Sequence, residues 1–245
     1  MAKIIEFPLI LTSYVLLKSN VISMQTFLKF VLYFHIFAGF TALTTGLVPM
    51  FSKKGSKIHT TWGTVYYWAM FLVAVTALIR FQMNLRLIFL AGIAIFSFYN
   101  TFTGVRYIRR KSNQKPEFID WFGAILMVTG SLIMLYFAYR AFKIDNSSSV
   151  LFAIFGSFMF LLAFEDLQVF VGSKQIDNDV PLQTRYWFQN HISRMGGSYI
   201  ATVTAFLVVN NPPQIPGLVV WIAPGVIGGF IIARTRRFYM KKLEK

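Results

Sequence analysis

The amino-acid sequence predicts an all-α fold, a polytopic bundle of about seven transmembrane helices, on three observations. Of its 245 residues 56% are hydrophobic and only 13% charged, with a mean hydropathy of +0.58, so most of the chain meets lipid rather than water. Its apolar segments exceed the roughly 18 residues that a bilayer core demands. Polar breaks, charged or rich in Gly and Pro, divide those segments at regular intervals. Helices follow because hydrocarbon offers no partner to an open backbone donor.

The first span is placed at residues 27–51 and closed by SKKGSKIH; the second, 60–80, is closed by RFQMNLR. The third, 86–108, runs into RRKSNQKPEFID, and the fourth, 120–142, into KIDNSS. The fifth, 149–171, ends at GSKQIDNDVPLQTR; the sixth, 188–210, ends at NNPPQIP, and the seventh covers 216–238. Residues 239–245 form a basic tail, and no soluble domain fits. Residues 1–26 are apolar but interrupted by Glu6 and Pro8. They read as a segment lying along the outer interface or as a short eighth span; no small-residue cleavage pattern marks a removable signal peptide.

Lys and Arg orient the bundle, because short cytoplasmic loops carry their excess. Lys53, Lys54, Lys57, Arg106, Arg109, Arg110, Lys111, Lys115, Lys174, Arg185, Arg234, Arg236, Arg237, Lys241, Lys242 and Lys245 fall on one side. Lys3, Lys18, Lys29, Arg80, Arg86, Arg140 and Lys143 fall on the other. The expectation is an N-terminus outside and a cytoplasmic C-terminus. The formal charge of +15 is spread over loops rather than gathered on a patch with nucleic-acid motifs, so anionic lipid headgroups are its expected partner and nucleic acid is not. The absence of cysteine excludes disulfides, thiolate metal sites and covalently attached c-type haem.

Against this apolar background a few polar residues stand out. Asp166 lies about 17 residues, or roughly 25 Å, along the fifth span, which puts it and Glu165 in the cytoplasmic third. Asn100 reaches nearly the same depth, about 14 residues along the third span. His59 starts the second span, and His191 with Arg194 starts the sixth, at the same membrane face. Asn100, Thr103 and Gly104 share a helical face, as do His191, Arg194, Met195 and Ser198. The expectation is one shared polar pocket, within which Asp166 and Arg194 can equally form a structural ion pair. His35 lies too near the opposite face to join it, and continues into Gly39, Ala42 and Gly46 as a small-residue packing stripe.

The stretch FHIFAGFTALTTGLVPMFSKKGSKIHTTWGTVYYWAMFLVAVTAL, with His35, Gly39, Ala42, Gly46, Lys54, Gly55, His59, Gly63 and Tyr66, and the later block HISRMGGSYIATVTAFLVVN, with His191, Arg194 and Met195, resemble a large uncharacterised group of predicted bacterial multi-pass membrane proteins sharing a domain of unknown function. The resemblance implies a bacterial inner-membrane protein and draws attention to the three histidines, but carries no activity with it. Where that group commonly has Arg after the second His, this chain has Thr60.

Retinal binding is excluded, since the last span holds no deep Lys for a Schiff base. No Walker loop, dinucleotide fingerprint, GxSxG elbow or HExxH helix is present. The leading expectation is a divalent metal held by His59, His191, Asp166 and Glu165, as in a membrane metalloenzyme. Haem b between His59 and His191, ion- or proton-coupled transport through Glu165, Asp166 and His191, and a scaffold without ligand are the alternatives. Pro49, and Pro224 with Gly225, Gly228 and Gly229, are expected to bend their spans.

Overall fold

The computed structural model describes residues 3–110, 115–172 and 180–243, and the side chains of residues 22–110, 115–172 and 185–242. Lys3, Lys18, Lys111, Lys174 and Lys245, counted above for orientation, have side chains outside those limits. All regular structure among the described residues is helical: α1 (Lys3–Thr45), α2 (Leu47–Phe51), α3 (Lys57–Ile79), α4 (Leu85–Arg109), α5 (Phe118–Phe142), α6 (Ser148–Phe170), α7 (Val180–Val209) and α8 (Gly217–Leu243). Seven segments are long and apolar enough to cross a membrane, with α1 and α2 joined as Ile22–Phe51. This is an all-helical, multi-pass membrane protein.

Most span boundaries lie within a few residues of the sequence-based placement, and the differences have local causes. The backbone of α1 continues unbroken from the N-terminal segment into the first span, so no turn separates the two. Pro49 has no N–H to give Thr45, four residues earlier, and the helix is interrupted at Gly46 between α1 and α2. Pro224, by contrast, lies inside a continuous α8. The start of α7 runs back past the apolar run to Val180, with Pro181 in its first turn, where a missing N–H costs nothing.

At the centre stands α4. It packs against α3, α5, α6 and α7, and 56% of its most apolar window is buried, against 6% for α8. Small residues make this possible: a Cβ added at Gly92 would lie 2.5 Å from the Met134 sulfur, and one at Gly104 2.8 Å from that of Met195. Two cores flank this helix. On one side Phe89, Ile93, Met127, Met134, Phe152 and Met159 interdigitate across α4, α5 and α6. On the other, Ala42, Tyr66, Ala69 and Met70 of α1 and α3 pack with Phe98, Met195 and Tyr199. The outer surface carries exposed Tyr33, Phe37, Phe51 and Phe230, as expected where lipid is the solvent.

The expected stripe on α1 divides in two. Ala42 is fully buried, and a Cβ at Gly46 would sit 2.6 Å from the Tyr199 ring and 2.9 Å from that of Tyr66. Gly39 has nothing within 4 Å of such a Cβ, so it is no close-packing position. Gly46→Val is therefore expected to lower stability by about 1–3 kcal/mol through overpacking, whereas Gly39→Ala leaves it unchanged or raised; thermal unfolding in detergent followed by helical circular dichroism measures both.

Candidate functional site

The Asp166 carboxylate is locked rather than open. Tyr99 donates its hydroxyl to Oδ2 at 2.5 Å, Tyr107 donates to Oδ1, and Arg194 Nη2 donates to Oδ1 at 2.8 Å. Both ion-pair side chains are 2% exposed. Tyr99 and Tyr107 are eight residues apart on α4 and so share its face toward α6 and α7. Their rings also lie under the guanidinium, whose carbon is 5.8 and 5.7 Å from the two ring centres. Desolvating two charges is costly, and these hydrogen bonds offset it. Glu165, next around the helix, is half-buried and is not among the groups bonded to Asp166.

His59 and His191 do meet, from α3 and α7. Their ring centres are 6.2 Å apart. His59 Nδ1 lies 3.0 Å from the Pro49 carbonyl oxygen, and His191 Nδ1 lies 2.8 Å from that of Gly104. A carbonyl only accepts, so each Nδ1 carries the proton, and a neutral ring then presents Nε2 as a bare lone pair. Lys54 also donates to the Pro49 oxygen at 2.7 Å and to Met50 at 2.7 Å. Its ammonium, outside the spans, has a pKa lowered by burial.

Helix spacing explains how these groups arrive. His191, Arg194 and Ser198 recur on the α7 face that packs on α4, where Gly104 admits the Met195 side chain and the stem of Arg194. Ser198 joins a buried hydroxyl relay, 2.7 Å from Tyr66 Oη and 2.5 Å from Thr101 Oγ1. Asn100 is buried but donates to Phe96 O at 2.9 Å, a bond within its own helix. His35 is elsewhere: its Nδ1 is 2.8 Å from Thr76 Oγ1, and Thr76 stands about 17 residues, roughly 25 Å, along α3 from His59.

One shared pocket therefore resolves into two neighbouring arrangements. The structure unites His59 with His191, and Asp166 with Arg194. Among the described residues no group of three or more His, Asp or Glu gathers into a cluster able to hold a metal ion, and Asp166 is itself engaged by three donors. The same engagement makes it a poor station for a transported ion. The sequence reasoning missed Tyr99 and Tyr107, which complete the shell of Asp166. It also treated Arg106 and Arg110 as loop charges. Arg106 instead donates to Asp120 at 2.7 and 2.6 Å and pairs with Glu117 at 3.0 Å, and Glu117 and Asp120 form the capping box that starts α5. Arg110 is 6% exposed, with Phe170 5.0 Å and Trp187 5.9 Å from its guanidinium carbon.

Comparison with protein-family models, with curated proteins and with solved structures finds no match.

Asp166→Asn and Arg194→Gln are each expected to cost about 3–5 kcal/mol, since each leaves a buried charge without its counterpart. The double variant is expected to cost less than the sum, as measured by a double-mutant cycle on thermal or denaturant unfolding in detergent.

Proposed function

We propose that this membrane protein binds a transition metal through His59 Nε2 and His191 Nε2, as a lone ion or as the iron of haem b. The carrying observation is the pair of imidazoles brought together from α3 and α7, each with Nδ1 tied to a backbone carbonyl. That second bond is the usual support of a ligating histidine, since it fixes both tautomer and ring plane.

The ring centres lie 6.2 Å apart, and His59 and His191 would hold the ion through their Nε2 atoms, where it would supply Lewis acidity as a lone metal or electron transfer as haem iron. Imidazole suits copper, iron, zinc and nickel. The locked carboxylate of Asp166 argues against the four-ligand set expected from sequence and against a hydrolytic metal site.

The lysine and arginine bias supports a site at the cytoplasmic face, with the N-terminus outside and the C-terminus inside. Together with the resemblance of the His35, His59 and His191 blocks to bacterial multi-pass proteins, this supports a bacterial inner membrane as the location.

Purification in detergent, with visible spectroscopy and elemental analysis, tests the reading. A Soret band identifies haem, and about one equivalent of metal without that band identifies a lone ion. Either is expected to be lost in His59→Ala and His191→Ala and kept in His35→Ala, whose ring bonds to Thr76 away from the pair. Metal content no higher than in the double histidine variant would refute the assignment.

A further inference from the structure

The last helix presents two different faces. Toward α7, a Cβ at Gly228 would lie 2.4 Å from Ile200, Ile232 fills the space above Gly196, and Arg236 donates to Gln189 Oε1 at 2.7 Å. Away from α7, Val226, Phe230, Arg234, Arg237 and Lys241 recur at the helical period, and all five are exposed. Phe230, Ala233, Arg234, Arg237, Phe238 and Lys241 line one surface groove.

Along the axis this face changes from apolar to cationic within one turn. Arg234 lies about 17 residues, or roughly 26 Å, from Gly217, close to the roughly 30 Å thickness of a hydrocarbon core. The three cations therefore fall at headgroup depth with aromatic surface immediately beneath. Arg106 and Arg194 are tied into ion pairs, and Arg236 is bonded to Gln189. Among the described residues no carboxylate pairs with Arg234, Arg237 or Lys241, and α8 contains no acid.

We propose that this groove binds the phosphate of an anionic phospholipid, held by Arg234, Arg237 and Lys241, with its acyl chains along Phe230 and Val226. A second copy of the chain is disfavoured as the occupant. A two-fold contact would set this cationic patch against itself, in a protein with 24 basic and 9 acidic residues. The inference rests on the membrane-spanning fold and is independent of the metal reading.

Native mass spectrometry of the full-length protein in detergent tests it, with phosphatidylglycerol and phosphatidylcholine of identical acyl chains added in turn. Wild type is expected to retain phosphatidylglycerol selectively, and the triple variant R234Q/R237Q/K241Q to lose that selectivity roughly tenfold or more. A control variant of other exposed basic residues, K53Q/K57Q/R109Q, is expected to keep it. Equal retention of the two lipids, or equal loss in both variants, would overturn the site. Displacement by inorganic phosphate at the same concentration would assign it to a free anion, and a lipid-independent dimer abolished by the triple variant would assign it to a second copy.

Discussion

A carboxylate and a guanidinium, each 2% exposed and surrounded by hydrocarbon, have no solvent to fall back on, and this constraint organises the bundle. Asp166 comes from α6, Arg194 from α7, and the hydroxyls that complete the carboxylate's shell from Tyr99 and Tyr107 of α4. Three helices are thus fixed at one depth by charges that cannot separate cheaply. Hydrophobic burial does not choose a register here, since lipid is as apolar as Leu; polar bonds and close packing do. The small residues of α4 serve the same end, because Gly104 lets α7 approach closely enough for Arg194 to reach across.

Other polar groups also bond from helix to helix. Tyr66, Ser198 and Thr101 satisfy one another across α3, α7 and α4. Ser131 donates to the Gly156 carbonyl at 2.9 Å, joining α5 to α6. Arg80 reaches the Leu28 carbonyl at 2.5 Å, tying α3 to α1. Around α4, hydroxyls and tyrosine rings bond toward α3, α6 and α7, and methionine and phenylalanine fill much of the contact with α5 and α6. Methionine suits the second role because its flexible thioether fills the gaps above Gly92 and Gly130.

What the sequence made legible was the part governed by local rules. Span number and approximate limits follow from hydropathy, and helical phase put Asn100, Thr103, Gly104, Arg194 and Ser198 on buried faces, where they are found. Depth alone could not say which groups at one level touch. His59, His191, Asp166 and Glu165 share a layer, but rotation about each helix axis decides partners, and that rotation is set by contacts such as Met195 on Gly104 that have no local signature. Tyr99 and Tyr107 were hidden by abundance: among 27 Phe, 11 Tyr and 5 Trp, two tyrosines carry little signal until a carboxylate is known to face them.

The division between paired charges and unprotonated bases bears on where a ligand can bind. Asp166 spends its oxygens on three donors, so recruiting it to a metal would strand Arg194 in hydrocarbon. The histidines carry no such obligation. Each gives its Nδ1 proton to a carbonyl and, as a neutral ring, offers a lone pair on Nε2; those carbonyls belong to Pro49, in the short α2 that follows the break in the first span, and Gly104, where the absence of a side chain admits α7. Lys54 bonds to the same Pro49 oxygen as His59, so the turn between α2 and α3 is held by two donors on one acceptor. Ligand-binding capacity therefore resides in two histidines, one near the start of α3 and one within α7, whose rings are each oriented by a backbone carbonyl.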